Sequence, residues 1–377
     1  MKIALLVINF GGPRSPEEVE PFLFELFRDK DVIPLPGGSY LQELFADVVS
    51  ARRAPKTVAQ YAQIGGASPL VPMTYLQAEA LHQTLLAGGD EVELFVGMRY
   101  TRPFISEALA AIKASGCERI VCLALYPHFS FATTASSYNE VARGLKDLGM
   151  TGMPVSFIPA WHDDPDYLAA MAHRIEEALA RVPRGQAPHL LFTAHGLPVS
   201  FIERGDPYQA QVQQTVRDLV KLLDWQGPYS LAYQSKVGPS RWLSPATDEE
   251  LERLGGAGVE ATVVVPVSFV GEHIETLFEL DLEYRHVAEA AGIRHYERAS
   301  ALDCHPRFIA ALAGQVRKAI AQERQRACVR CLLPKEDAYH ARGACADCGF
   351  KKPAFLASEG AQLPAAAPRE GACPRER

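Results

Sequence analysis

Runs of apolar, often β-branched residues recur at 3–10, 93–100, 119–127, 155–160, 189–194, 230–235 and 261–269, and each predicts a strand. Between them, apolar residues return at three and four spacing over 105–115, 138–148, 165–182, 208–223, 248–254 and 307–324. That spacing predicts amphipathic helices, two of them opening at the caps Ser136 and Thr247. Alternation of this kind predicts a doubly wound α/β fold in two similar halves joined near residue 155. Whether the halves share one sheet is not legible in the pattern. Residues 19–49 stand apart, because Phe22, Leu23, Phe24, Leu26, Phe27, Ile33, Leu35, Tyr40, Leu41, Leu44 and Phe45 crowd a short segment. Such a segment is either a core helix pair or an exposed apolar lip that meets a bilayer or admits a greasy ligand.

Composition narrows the class. The chain has 377 residues, 48% hydrophobic and 22% charged, as in an ordinary soluble globular protein. A formal net charge of −7 argues against broad nucleic-acid binding, which needs a basic face. No apolar stretch reaches the roughly 18 residues of a membrane-spanning helix. The amino terminus, a short apolar run followed by Gly11-Gly12-Pro13, reads as a first strand and not as a signal peptide. The reading is a cytoplasmic protein, with peripheral contact at the inner membrane face as the further option; oligomeric state is not legible. Cys117, Cys122 and Cys304 lie in apolar surroundings and read as core or near-core thiols.

Two strand ends carry the chemistry. The run 261–270 is apolar throughout, as in a strand buried on both faces, and it leads into Glu272, His273 and Glu275. Glu275, Glu279 and Glu283 follow at i, i+4 and i+8, which on an α-helix stacks three like charges along one face. That row is either a wet acidic face or a device for cations and protons. Its start at the carboxyl end of a buried strand, where open parallel sheets bind ligands, favours the device. A second buried run, 189–194, ends in His195-Gly196-Leu197-Pro198, so an imidazole reaches the same edge. Imidazole with carboxylate suits a loosely held first-row divalent metal and can also move protons. Arg52, Arg53, Tyr61, Ser68, Arg99, Tyr100, Tyr126, Gln234, Ser235, Lys236 and Trp242 would suit a large, flat, carboxylate-bearing ligand. Neither glycine pair, Gly11-Gly12 or Gly65-Gly66, fits a nucleotide loop.

Several longer motifs occur together: Asn9-Phe-Gly-Gly-Pro13, Tyr61-Ala-Gln-Ile-Gly-Gly-Ala-Ser-Pro-Leu70, Met98-Arg-Tyr100, Leu125-Tyr-Pro-His128, Ala194-His-Gly-Leu-Pro198, Tyr233-Gln-Ser-Lys-Val-Gly-Pro239 and Ser268-Phe-Val-Gly-Glu-His-Ile-Glu-Thr-Leu277. Over about residues 1–325 the chain resembles the ferrochelatases, which insert ferrous iron into a porphyrin in heme biosynthesis. The resemblance implies two Rossmann-like, parallel-sheet halves, 1–155 and 156–325, clamping the porphyrin, and no nucleotide cofactor. It implies that His195 and Glu275 are the central metal and proton groups. On that footing His195 accepts pyrrole protons, Glu275 with His273 and Glu272 guides iron, and Glu279 and Glu283 lead toward solvent; the opposite allocation, with His195 on iron, stays open. Arg53, Tyr61, Ser68, Arg99, Tyr100, Tyr126, Ser130 and Trp242 match pocket positions that orient propionates or brace the ring. The lip, 19–49, resembles the apolar mouth of the protoporphyrin-using branch, so protoporphyrin IX is the implied substrate. Coproporphyrin III, or a noncatalytic tetrapyrrole carrier, are the alternatives.

Cys328, Cys331, Cys345 and Cys348 form C-x2-C-x13-C-x2-C within a segment 326–356, a strong pattern for a metal held by four thiolates. Spacing alone favours zinc; the family context favours a 2Fe-2S cluster. The animal ligand set does not carry over, because its upstream cysteine position is Phe131 here. Residues 357–377, rich in Ala, Pro, Gly and charge, read as a disordered tail.

Overall fold

The structure is a computed structural model that describes residues 1–321 apart from 34, 36, 37 and 239. The four-cysteine segment and the tail, with the expectations attached to them, lie outside the described residues.

The apolar runs form two separate, wholly parallel four-stranded sheets. The first orders β1 (Ile3–Asn9), β2 (Val92–Met98), β3 (Arg119–Ala124) and β4 (Val155–Ile158) as β2-β1-β3-β4. The second repeats that order with β5 (His189–His195), β6 (Tyr229–Gln234), β7 (Ala261–Pro266) and β8 (His295–Arg298), as β6-β5-β7-β8. In each sheet the order reverses between the first strand and its third, so the switch points lie at β1/β3 and β5/β7. Ligands bind outside the carboxyl ends at such points. β4 pairs with β3, so the division of the chain falls after Ile158 and not at 155: a strand belongs to the sheet whose hydrogen bonds it completes. β8 was not legible, since His295-Tyr-Glu-Arg298 is too short and too charged to read as a strand.

Both faces of each sheet are covered. Leu5, Val7, Val121 and Leu123 of the first sheet share one core with Leu190, Phe192, Val263 and Val265 of the second. Between them lie α3 (Leu70–Ala87), α6 (Pro165–Leu179), α8 (Tyr208–Leu222) and α11 (Pro306–Ala321). The outer faces pack on α4 (Ile105–Ser115) and α5 (Ser136–Asp147) in one half, and on α9 (Thr247–Gly256) and α10 (Tyr284–Ala290) in the other. Each fully buried Leu, Val or Phe here contributes about 1.5–3 kcal/mol of apolar burial. α11 closes back on the first half, where the Arg119 guanidinium donates to the carbonyls of Ala319 and Ile320 at 2.6 and 3.0 Å.

Two caps differ from expectation. Ser136 does not cap α5, because a π-helical turn, Phe131–Ala135, precedes it and is capped by the Ser130 hydroxyl, which accepts from the Ala132 amide. Thr247 is the first residue of α9; the cap is Ala246, whose amide donates to the Glu249 carboxylate at 3.3 Å. Cys117 and Cys122 are buried, whereas Cys304 is exposed in the turn before α11.

The segment 19–49 forms a helix pair that also leaves apolar side chains exposed. α1 (Val19–Phe27) buries Phe22, Leu23 and Phe27 against α2 (Gly38–Ala62). On α2, Tyr40, Leu44 and Val48 repeat at i, i+4 and i+8 and are exposed, at 76, 50 and 57%. Among the described residues no helix is long and apolar enough to cross a membrane.

Candidate active site

β5 delivers His195 at its last residue, paired in register with Gln234 of β6. The chain then turns sharply: a Cβ on Gly196 would meet the Gln234 carbonyl at 2.9 Å and the Trp242 ring at 3.2 Å, so only glycine fits. The imidazole Nδ1 lies 2.5 Å from the Gly196 carbonyl, which can only accept, so Nδ1 carries the proton and Nε2 is turned outward. That Nε2 faces Glu275 Oε1 at 3.6 Å. β7 ends at Pro266, and the turn after it places His273 in the mirror relation. Its Nδ1 donates to the Gly271 carbonyl at 3.0 Å and its Nε2 faces Glu275 Oε2 at 3.4 Å. One carboxylate is thus flanked by two imidazole nitrogens at distances too long for strong hydrogen bonds. Burial pushes the Glu275 carboxyl up, but His195 and His273 more than offset this, leaving it below its ordinary value. An ionised carboxylate between two Nε2 atoms, with His195 and Glu275 about a third exposed, can receive a cation or a proton. Among the described residues no group of three or more His, Cys, Asp or Glu side chains is arranged to hold a metal ion.

The acidic row does not lie on an α-helix. Residues Glu275–Glu283 are wound as a π-helix, a form that recurs at functional sites. Glu279 is gripped by donors alone: the Ser235 amide and hydroxyl at 2.8 and 2.6 Å, Gln234 Nε2 at 3.0 Å and the Tyr284 hydroxyl at 2.9 Å. Burial and the charge of Glu275 nevertheless hold its carboxyl above the ordinary range. Glu283 is exposed. The row therefore runs from the cleft to solvent.

Most of the remaining expected pocket residues lie in the first half. Tyr61 and Ser68 are buried beside Gly12, where a Cβ would meet Ser68 Oγ at 2.5 Å. Burial pushes the Tyr61 hydroxyl up, and the charge of Glu275 adds to this. Tyr126 follows β3, and Trp242 packs on Gly196. Arg53 is exposed on α2, over the Phe27 ring at 5.6 Å, and lines a shallow concavity with Arg52, Lys56, Thr57 and Gln60.

A family model described as Ferrochelatase matches residues 2–320. The chain belongs to the ferrochelatase family. It is accordingly an enzyme of the porphyrin metal chelatase class. A protein named Ferrochelatase from Synechocystis sp. is 46% identical over 317 residues, 84% of this chain and 82% of that one. Another from Geotalea uraniireducens is 44% identical, covering 85% of this chain and 99% of its own. Among solved structures, the sirohydrochlorin chelatase SirB from Bacillus subtilis subspecies spizizenii, in complex with cobalt, matches with a TM-score of 0.50 at 14% identity. It covers 86% of this chain and 99% of that one, a likeness of fold.

Within this ferrochelatase framework four expected site residues are committed elsewhere. Arg99 Nη2 and the Tyr100 hydroxyl are turned to Asp29, which accepts from both at 2.7 Å and from the Ser136 hydroxyl at 2.5 Å. A buried carboxylate needs such partners, and here they tie the end of α1 to the first sheet. Ser130 donates to Asp206 at 2.9 Å and joins the two halves. Glu272 turns to Arg298 at 3.0 Å and the Ala301 amide at 2.9 Å, so it braces the turn before His273. Asp29, Asp206, Tyr284 and the Ser235 amide were not singled out from the sequence. Nothing in the sequence sets Asp29 apart from the other carboxylates of segment 19–49.

Proposed function

We infer that this protein inserts ferrous iron into protoporphyrin IX, releasing two protons and giving protoheme. The single observation that carries this is the pair of histidine Nε2 atoms flanking Glu275 at the switch point of the second sheet. Metallation must strip water from the ion, hold it, and remove two pyrrole protons. Glu275 is ionised and carries the charge that attracts the ion; His273 shares it. His195 Nε2 is free to take a pyrrole proton, because its other nitrogen is fixed on a carbonyl. Glu279 accepts protons next, and exposed Glu283 releases them. Arg53, Tyr61, Ser68, Tyr126 and Trp242 form the wall against which a flat macrocycle would rest, with the basic middle of α2, Arg52, Arg53 and Lys56, meeting its propionates.

The exposed apolar stripe Tyr40, Leu44 and Val48 supports a greasy mouth in peripheral contact with the cytoplasmic face of a membrane. It favours protoporphyrin over the more polar coproporphyrin. For Cys328, Cys331, Cys345 and Cys348, whose spacing alone favours zinc, the family context supports a 2Fe-2S cluster. Visible absorbance of the purified protein separates the two, since zinc is colourless.

The test is loss of protoporphyrin fluorescence on adding ferrous iron and protein without oxygen. His195→Ala is expected to lower turnover by about 10²-fold or more while porphyrin still binds. Substantial turnover of that variant would overturn the role of His195. Equal binding of porphyrin with no metallation by the parent protein would instead favour a carrier, and faster turnover of coproporphyrin III would reassign the substrate.

A further inference from the structure

Gln234, the last residue of β6, is 1% exposed, so its amide lies inside the protein and does not face a ligand. Its Nε2 donates twice, to the Glu275 carbonyl and to Glu279 Oε2, both at 3.0 Å. One nitrogen thus ties the backbone at the start of the π-helix to the carboxylate four residues on. Through its main chain the same residue reaches the other arm of the site, because the Gln234 carbonyl accepts the Gly196 amide at 2.8 Å. Gly196 is the residue whose own carbonyl aims the His195 ring.

The partners decide which end of this amide points which way. The Glu275 carbonyl can only accept, so Nε2 faces the π-helix and Oε1 is turned back toward the sheet. There Oε1 accepts from the Thr193 hydroxyl at 2.5 Å. Thr193 is fully buried in β5, two residues before His195, and its carbonyl accepts the Val267 amide at 2.9 Å, so the hydroxyl is carried on a fixed backbone. A string of side chains therefore crosses the strand ends, from Thr193 on β5 through Gln234 on β6 to Glu279.

We propose that Thr193 is a positioning residue for metal insertion: its hydroxyl, acting through the Gln234 amide, holds the Glu279 carboxylate in place against the backbone of Glu275. This rests on the reading of Glu279 as the group that takes protons onward from the cleft. Valine has the shape of threonine without the hydroxyl, so Thr193→Val leaves Gln234 Oε1 buried with its donor gone. An unpaired buried amide oxygen is penalised, and the amide can escape that penalty only by leaving the position from which it holds Glu279. Thr193 touches neither iron nor porphyrin, so its loss should be felt in turnover and not in the binding of either substrate.

Steady-state kinetics of single and double variants, assayed well below the Tm of each, test this. Thr193→Val is expected to lower kcat about tenfold or more, with KM for porphyrin and for ferrous iron within about twofold of the parent. Thr193→Ser keeps the hydroxyl and is expected to recover most of the lost kcat. In a Glu279→Gln background, Thr193→Val should change kcat by less than about twofold, because the carboxylate it steadies is already gone. Gln234→Met carries the same cycle if Thr193→Val does not fold. An unchanged kcat in Thr193→Val, a serine variant as slow as the valine one, or a tenfold loss that persists on top of Glu279→Gln overturns the proposal. Full turnover of Glu279→Gln would sink the proton path itself, whereas a slow Glu279→Gln beside an unaffected Thr193→Val would sink only the role of Thr193.

Discussion

Ser235 gives Glu279 two hydrogen bonds, from its amide at 2.8 Å and its hydroxyl at 2.6 Å, while its own backbone sits at a left-handed φ of +64°. A non-glycine residue in that region is strained at a cost of order 1 kcal/mol. Here the strain turns both donors onto one carboxylate, so Glu279 is held still between Glu275 and the surface.

Because burial and Glu275 hold the Glu279 carboxyl up, it takes a proton at higher pH than an ordinary glutamate near ~4.3. A relay needs it empty. Turnover is therefore expected to fall on the acid side at a pH above that ordinary value. Glu279→Gln is expected to lower kcat by about 10²-fold and to remove that limb, with KM for porphyrin unchanged. A pH series of kcat for both proteins checks this.

Arg298 is nearly buried and serves both Glu272, at 3.0 Å, and Asp281, at 2.7 Å. Arg298→Met leaves two carboxylates without their cation, and the expected loss is about 3–5 kcal/mol in chemical denaturation. Burial pushes Glu272 up, but Arg298 and its hydrogen bonds bring it below the ordinary range. A depressed carboxyl contributes stability above its unfolded pKa and loses it as pH falls through the folded one. The parent protein is therefore expected to weaken below about pH 4, and Arg298→Met to show less of that dependence.

Asp29 anchors the lip. Asp29→Ala strands Arg99, Tyr100 and Ser136 and is expected to cost about 3–5 kcal/mol. The Asp29→Ala, Arg99→Met double variant should lose less than the sum of the two singles, because removing both charges leaves neither unpaired. Purely additive losses in the denaturation cycle would argue against a coupled pair.

Tyr40, Leu41 and Leu44 are exposed, so replacing all three with Ser should change Tm little, each within about 0.5 kcal/mol. Co-sedimentation with lipid vesicles is expected to drop in the same protein. Undiminished sedimentation would remove the lip from membrane contact.

The strands were legible because buried parallel strands are written as continuous apolar runs, as at 3–9 and 261–266. Strand β8 was not, because half its residues are charged and its place comes from pairing with β7. The meeting of His195 and Glu275 was legible because each closely follows a buried run, and strand ends of one parallel sheet share an edge. The roles of Arg99, Tyr100 and Ser130 read differently in the structure. A residue type and a motif say that a donor is present, but its acceptor, Asp29 or Asp206, lies 70 or more residues away.

By itself the sequence determined the α/β alternation, the family, and the two strand ends that bear imidazole and carboxylate, since periodicity and short motifs are local properties of a chain. Tertiary structure alone decided that the sheets are separate, that the acidic row winds as a π-helix, and that both histidines turn Nε2 to one carboxylate. Those depend on which distant backbone carbonyls and carboxylates come within hydrogen-bonding reach, and on where the cost of burying a charge is met by a partner from another element.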